Sequence, residues 1–183
     1  PVLPSTPPDS GVPRQDGPPN VSVTLTGEGY VFPVADPGAS YSDDFNAARS
    51  STGWHHGNDV FGPLGAPIVA VADGELFLVG WNTLGGWRLW LRDGQGNEYY
   101  YAHLSAFSPK AVDGAKVKAG DVIGFLGKSG EARTTPPHLH FEIHPQALLG
   151  MGYDGVIDPF PYLNAWQRLQ DLPIGAGQAP VVP

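Results

Sequence analysis

The sequence predicts a mainly β domain of antiparallel sheets, with a β-sandwich-like core, long loops and one short helix near the C-terminus. Three observations support this fold class. Short apolar runs alternate with polar residues through the middle of the chain, turn residues separate these runs, and helical spacing of apolar residues occurs once, late in the chain. The 183 residues include 25 glycines and 20 prolines, which supply the turns. This length suits one domain with tails.

The predicted domain is flanked by segments that lack apolar periodicity. Residues 1–27 are predicted to be a Pro-rich linker or tail, most clearly over the first 20 residues, which are rich in Pro, Ser, Asp and Gly. Residues 28–165 are predicted to form the globular domain. Residues 166–183 are expected to hold the end of the helix and a second tail.

Two segments are predicted to form β-hairpins. Residues 67–81 place strand-like runs on both sides of an Asp-Gly turn at 73–74, and residues 87–104 do the same around residues 93–97. Further short strands are expected within 117–126 and 139–144, each bounded by Gly, Pro or Asp. Strands joined by tight turns run antiparallel, so these segments predict antiparallel sheets.

One helix is predicted near the C-terminus. Asp158 is a suitable cap and Pro159 suits the first turn. Apolar residues then recur at helical spacing at Tyr162, Leu163, Trp166 and Leu169. We expect this helix to pack as a lid on the sheet, with fraying as the alternative, because about ten residues form a marginal helix without docking.

Composition excludes several classes of function. The formal net charge is −8 and no run of Lys and Arg occurs, which disfavours binding to nucleic acid or to an anionic membrane. No apolar stretch approaches the roughly 20 residues that span a bilayer. With no cysteine, the chain has neither disulfides nor thiolate metal ligands. The chain begins at Pro1, as expected for a processed protein, and a monomer is the default expectation.

The most informative segment is the run from residue 136 to residue 144, Pro-Pro-His-Leu-His-Phe-Glu-Ile-His. Polar and apolar residues alternate here as they do in a strand. The polar side chains are therefore predicted to share one strand face: His138, His140, Glu142 and His144.

An earlier pair, His55 and Asp59, has the spacing H-x-x-x-D, and in an extended segment both side chains point the same way. Catalytic zinc takes three protein ligands from imidazole and carboxylate groups and keeps a fourth position open. His55, Asp59 and either His138 or His140 would complete that set. His103 ends a further strand-like run and suits a general base or an electrostatic partner.

These motifs resemble the M23 family, the LytM/lysostaphin-type metallopeptidases, in which H-x-x-x-D, Y-x-H-L and H-x-H elements occur in this order. The resemblance extends from Tyr30 to Leu163 and includes residues 65–74, 117–124 and 137–142. It implies a sandwich-like core of the duplicated hybrid type over the 28–165 domain. It also implies that His55, Asp59 and His140 bind Zn²⁺, with His103 and His138 as catalytic residues beside the metal and its water.

The same resemblance implies an endopeptidase that hydrolyses peptide bonds in bacterial peptidoglycan, either in cross-links or in stem peptides. Such a protein is expected to act outside the cytoplasm. Two alternatives stay open: a non-catalytic wall-binding or hydrolase-activating protein on the same fold, and a biotinyl- or lipoyl-type carrier module. The intact histidine set disfavours the first. The candidate turns lack the lysine that the second requires.

Other residues near these motifs have weaker assignments. Asp43 and Asp44 are alternative ligands to Asp59, and Glu142 either orients a ligand histidine or accepts a proton. His56 and His144 are expected to be structural or surface residues. Two groups are candidates for the wall of a substrate groove: Trp54, and the turn at Arg133, Thr134 and Thr135.

Overall fold

The computed structural model describes residues 15–170, which form a mainly antiparallel β domain. Its largest sheet has six strands, and every neighbouring pair is antiparallel. In their order across the sheet the strands are β3 (Asn58–Phe61), β11 (His138–His144), β7 (Glu98–Leu104), β6 (Gly86–Asp93), β5 (Gly74–Asn82) and β9 (Lys116–Val117). The mainly β, antiparallel fold class is thereby confirmed.

Two smaller sheets complete the described strands. A three-stranded sheet has the order β4-β10-β8, formed by β4 (Pro67–Val69), β8 (Ala106–Phe107) and β10 (Val122–Phe125). A two-stranded ribbon pairs β1 (Ala48–Arg49) with β2 (Gly53–Trp54).

The hydrophobic core lies between the six-stranded and the three-stranded sheets. One buried cluster joins Ile68 and Ile123 of the smaller sheet to Leu89, Tyr101 and Phe141 of the larger one. All five side chains are fully buried. Burial of an aliphatic or aromatic side chain of this size contributes about 1.5–3 kcal/mol. The alternate residues of β6, β7 and β11 face away from this core, and that second face of the sheet carries the candidate site.

The hairpin predicted over residues 87–104 is confirmed, since β6 pairs with β7. The hairpin predicted over residues 67–81 is wrong, because β4 pairs with β10 while β5 pairs with β6 and β9. The turn between β4 and β5 is held by other partners: the Asp73 carboxylate accepts hydrogen bonds from Lys118 Nζ at 2.7 Å and from the Ala119 amide at 2.8 Å.

The C-terminal helix α1 spans Phe160–Ala165 and is shorter than predicted. The Asp158 carboxylate accepts a hydrogen bond from the Phe160 amide at 2.9 Å, as expected for a residue before a helix. The prediction that the helix continues to Leu169 is wrong, because Trp166 is already extended. Trp166 stacks on Tyr30 with 5.1 Å between ring centroids and also packs near Tyr99, so tertiary contacts and not helical spacing explain its apolar character.

Two 3₁₀ helices were not predicted from the sequence. The first spans Gly130–Thr134 and the second Gln146–Asp154, on either side of β11. Within residues 15–170, no helix is both long and apolar enough to cross a bilayer. Part of the predicted N-terminal tail contacts the domain, since the Trp54 indole donates to the Gln15 carbonyl at 3.0 Å. The domain boundaries stay predictions, and residues 1–14 and 171–183, which hold most of both predicted tails, lie outside the described residues.

Candidate active site

The candidate site begins at the pairing of β3 with β11. In this register Asp59 lies directly opposite His140, and Ala102 of β7 lies opposite His140 on its other side. His55 precedes β3 in a short loop that crosses close to β11. A Cβ atom at Gly57 would lie 2.1 Å from the Phe141 carbonyl oxygen, so only glycine permits this approach.

Three side chains from these segments meet at one point. His55 Nε2 lies 3.1 Å from Asp59 Oδ1 and 2.9 Å from His140 Nδ1, and His140 Nδ1 lies 3.2 Å from Asp59 Oδ1. All three side chains are largely buried. Two imidazole nitrogens and one carboxylate oxygen therefore converge as a possible set of metal ligands.

The opposite ring nitrogen of each of these histidines has an acceptor of its own. His55 Nδ1 lies 2.8 Å from the Asp44 carbonyl oxygen, which only accepts; in the tautomer that donates to this oxygen, Nε2 presents a lone pair to the cluster. His140 Nε2 donates to Glu142 Oε1 at 2.7 Å, which leaves Nδ1 facing the cluster. Such outer hydrogen bonds fix both the tautomer and the orientation of a ligand histidine.

Glu142 joins two histidines of the same strand. Its second oxygen, Oε2, accepts from His144 Nε2 at 2.7 Å, and the Tyr153 hydroxyl donates to Oε1 at 3.3 Å. Burial opposes ionisation of Glu142, but the hydrogen bonds from His140 and His144 outweigh burial and hold the pKa of this carboxyl below its usual range. Glu142 is therefore an ionised acceptor. His144 is buried and structural, as one of its two expected roles states.

The pKa of His140 reflects the same surroundings. Burial favours the neutral ring, but the hydrogen bonds to Asp59 and Glu142 outweigh it and raise the pKa of His140 to about 10. Asp59 is buried as well, and its hydrogen bonds to His140 and His55 hold the pKa of its carboxyl far below its usual range. Without a metal, a proton between Asp59 and His140 balances the charge of the carboxylate. A bound cation would take the place of that proton.

His103 and His138 lie beside the cluster with 4.9 Å between their ring centroids. His103 Nδ1 donates to the Ser129 carbonyl at 2.9 Å, and His138 Nδ1 donates to the Pro136 carbonyl at 3.0 Å. Each ring therefore keeps Nε2 as a free acceptor. Burial and the nearby His140 lower the pKa of His103 to about 3, and burial also lowers the pKa of His138. Both rings are neutral at pH 7.

A β-bulge aims His103 at the cleft. The register of β6 with β7 shifts between Trp87 and Leu89, and His103 has a φ of 67°, in the left-handed region. A residue other than glycine in this conformation costs about 1–3 kcal/mol. Backbone contacts hold it there, since the His103 amide donates to the Gly85 carbonyl at 2.7 Å. As a result, the consecutive residues Ala102 and His103 both line the cleft.

The cluster lies at the base of a cleft of about 280 Å³. One wall is the turn between β5 and β6, which contributes Leu84 and Gly85, and another is the first 3₁₀ helix, which contributes Glu131 and Ala132. The two walls are in close backbone contact at Gly86 and Gly130. A Cβ atom at Gly86 would lie 2.4 Å from the Gly130 amide nitrogen, and both residues have a positive φ.

Several residues near the motifs lie elsewhere than expected. Trp54 does not line the cleft: it is buried, and it stacks on His56 with 3.7 Å between ring centroids. His56 lines the cleft, although it was expected to be a structural or surface residue, and its Nε2 lies 2.8 Å from Asp154 Oδ1 and not in the cluster. In the predicted groove turn, Thr135 lines the cleft, whereas Arg133 and Thr134 do not.

Arg49 lines the cleft and was not predicted from the sequence. Its Nη2 lies 3.1 Å from Asp59 Oδ2. Asp44, an alternative ligand in the sequence analysis, lies behind the cluster, where its Oδ1 accepts from Asn58 Nδ2 at 2.8 Å. In the sequence Arg49 is marked only by its position six residues before His55. That spacing does not show that the two side chains lie close together, because their proximity depends on the pairing of β1 with β2.

An antiparallel β domain that gathers two histidines and an aspartate at the base of a cleft, beside two neutral histidines, has the architecture of a metal-dependent hydrolase. Comparison with known families makes the class specific. The sequence profile of Peptidase family M23 matches residues 53–150, more than half of the chain. The chain belongs to this family, and the resemblance stated from its motifs is confirmed.

The chain is similar to several characterised proteins. It is 35% identical over 138 residues to the L-Ala--D-Glu endopeptidase of Bacillus subtilis, covering 72% of this chain and 41% of that protein. Among solved structures, the catalytic domain of the antimicrobial peptidase lysostaphin from Staphylococcus simulans superposes with a TM-score of 0.60 at 29% identity, covering 69% of this chain and 92% of that one. A zinc-containing peptidase from Vibrio cholerae superposes with a TM-score of 0.57 at 26% identity, covering 71% of this chain and 39% of that one. The chain spans less than half the length of the B. subtilis enzyme.

Proposed function

We propose that this chain is a zinc-dependent endopeptidase that hydrolyses peptide bonds in bacterial peptidoglycan. The observation that carries the proposal is the convergence of His55 Nε2, Asp59 Oδ1 and His140 Nδ1 at the base of an open cleft. Three ligands, and not four, are typical of a catalytic zinc site, because the fourth position is left for water or substrate.

The donor atoms suit zinc in type and in spacing. Ligand atoms about 2.0–2.1 Å from a tetrahedral zinc ion lie about 3.3 Å from one another. The three atoms here are separated by 2.9, 3.1 and 3.2 Å. Small outward movements of the side chains therefore make room for the ion. We assign His55, Asp59 and His140 as its ligands, and the acceptors that face the outer nitrogens of both histidines, the Asp44 carbonyl and Glu142, support this assignment.

His103 and His138 are the proposed catalytic residues. A zinc ion held by His55, Asp59 and His140 would act as a Lewis acid, activating water and polarising the scissile carbonyl group. One of the two neutral histidines would accept the proton of the attacking water through its Nε2 and then deliver it to the leaving amine. The other would take up a proton from solvent as negative charge develops on the carbonyl oxygen, and would then donate a hydrogen bond to that oxyanion. The Ser129 and Pro136 carbonyls hold the two rings in place for these steps.

The relatives support the choice of substrate. The B. subtilis relative is named for the bond between L-Ala and D-Glu, and a relative from Vibrio cholerae, 38% identical over 88 residues, is named a peptidoglycan DD-endopeptidase. We propose that the chain acts on peptidoglycan peptides outside the cytoplasm, as a monomer, through the domain of residues 28–165. The groove walls at Leu84 and Glu131 would then contact the peptide on both sides of the scissile bond.

The test is digestion of purified peptidoglycan with the zinc-loaded protein, with release of fragments followed by mass spectrometry. We expect new amine and carboxyl termini at one peptide bond, loss of release with a chelator, and recovery after zinc is returned. The Asp59→Asn variant is the inactive control. If zinc is bound but no peptide bond is cut, the activity assignment is wrong and a wall-binding or hydrolase-activating protein is the better reading.

A further inference from the structure

Arg49 lies at the end of β1 and reaches the base of the cleft. Its side chain is 34% exposed and lines the cavity, while its Nη2 lies 3.1 Å from Asp59 Oδ2 and 3.4 Å from Asp44 Oδ2. It also lies 2.9 Å from His55 Nδ1. That nitrogen carries the hydrogen when Nε2 binds a metal and then donates to the Asp44 carbonyl, so in the metal-bound site the guanidinium bonds to the two carboxylates.

The two oxygens of Asp59 have separate partners. Oδ1 faces His55 Nε2 and His140 Nδ1, whereas Oδ2 faces Arg49 Nη2. A carboxylate can bind a metal through one oxygen or through both. Here the hydrogen bond from a charged donor holds the second oxygen away from the point where the ligand atoms converge. Bonds of this kind are shorter and about twice as strong as those between neutral groups.

Asp44 keeps Arg49 in this position. Its Oδ1 accepts hydrogen bonds from Asn58 Nδ2 at 2.8 Å and from the Asp59 amide at 3.3 Å, so the Asp44 carboxylate is fixed from behind. Its Oδ2 then faces Arg49. The guanidinium is held between the carboxylates of Asp59 and Asp44, and the Asp44 carboxylate is itself held by the backbone amide of Asp59.

We propose that Arg49 is a positioning residue that makes Asp59 a one-oxygen metal ligand and so keeps the fourth coordination position open. This inference rests on the proposed zinc site. When Arg49 is removed, Asp59 Oδ2 is free to turn toward the metal as a fifth ligand, which crowds the position that water and substrate need. Metal binding then survives, but the geometry at the metal changes and turnover falls.

The test compares native protein with Arg49→Met, which keeps side-chain length but has no donor, and with Arg49→Lys, which restores a cationic N–H donor. Each protein is loaded with cobalt(II), whose visible absorption is strong in four-coordinate and weak in five-coordinate sites. In Arg49→Met we expect one bound ion, a weaker cobalt spectrum and a 10- to 100-fold lower kcat with KM little changed. We expect Arg49→Lys to return both the spectrum and kcat toward native values.

Two results would overturn the proposal. The first is an unchanged cobalt spectrum in Arg49→Met, even if activity falls, because that loss would then arise from folding or substrate contact. The second is a lysine variant whose spectrum is no closer to native than that of the methionine variant. If the native protein cuts no peptide bond, the proposed function fails, but the spectral comparison still tests the role of Arg49.

Discussion

Glu142 Oε1 accepts a hydrogen bond from His140 Nε2 at 2.7 Å, and this contact determines which nitrogen of His140 faces the cluster. Both residues lie on β11 two positions apart, so strand alternation alone places them side by side. The carboxylate is fully buried and is shared with His144, which keeps it from rotating away. The orientation of the His140 ring is therefore built into a single strand.

Replacing Glu142 by Gln should weaken zinc binding by about 10- to 100-fold, because the amide no longer offers two charged acceptor oxygens to His140 and His144. The measurement is zinc affinity by competition with a chelator of known affinity. Glu98→Gln is the matched control. Glu98 is also a buried glutamate on this sheet, but it pairs with Arg92, so its replacement should leave zinc affinity unchanged. Equal loss in both variants would mean that the effect comes from general destabilisation.

His140→Ala and His103→Ala should separate metal binding from catalysis. His140→Ala removes a proposed ligand, so both the bound zinc and the activity should disappear. His103→Ala removes only a neutral base beside the cluster, so zinc content should stay at one ion while activity falls about 10²- to 10⁴-fold. Zinc content by atomic absorption and hydrolysis rates check both. Retained activity in His140→Ala would remove that residue from the ligand set.

The stability of the domain should fall at alkaline pH because Tyr99, Tyr100 and Tyr101 are consecutive and fully buried. Burial raises the pKa of each hydroxyl above its ordinary value of 10.0. A group whose pKa is raised by folding contributes stability that is complete below its unfolded pKa and is lost as the pH rises above it. Thermal melting of the metal-free protein between pH 8 and pH 12 should therefore show a decline that begins near pH 10.

Tyr101→Phe isolates one contribution to that decline. Tyr101 accepts a hydrogen bond from the Val71 amide at 2.9 Å, so the variant should lose about 1–3 kcal/mol at neutral pH, where a buried donor is left without its partner. The same variant should show a shallower alkaline decline than the native protein. Identical slopes above pH 10 would contradict the assignment to this tyrosine.

Gly86→Ala should destabilise the domain and disturb the cleft wall. A Cβ atom there would lie 2.4 Å from the Gly130 amide nitrogen, and the φ of 65° is unfavourable for alanine. We expect a loss of about 2–3 kcal/mol in the free energy of unfolding and a lower activity. Gly94→Ala is the control, since nothing lies within 4 Å of a Cβ atom at that turn, and it should change stability by less than about 0.5 kcal/mol. Denaturant unfolding of both variants makes the comparison.

Local patterns predicted some of the fold well. The hairpin of β6 and β7 could be predicted because apolar and polar residues alternate on both sides of a Gly-rich turn, a pattern that lies within one short segment of the chain. The pairing of β4 with β10 was not predicted, because the partner of a strand is chosen by long-range packing, and the Asp73 turn is held by Lys118 from a distant segment. The length of α1 was overestimated for a related reason: Trp166 is apolar because it packs on Tyr30, not because it continues a helix.

The sequence by itself determined the chemical groups of the site, since alternation places His138, His140 and Glu142 on one strand face and the H-x-x-x-D spacing supplies His55 and Asp59. Only the tertiary structure decided how they meet. The register of β3 with β11 places Asp59 opposite His140. A β-bulge and a left-handed φ direct His103 into the cleft, which strict alternation does not predict. The β1–β2 ribbon places Arg49 beside Asp59 Oδ2. Periodicity reports which face a residue occupies, whereas register, bulges and crossings depend on contacts between segments far apart in the chain.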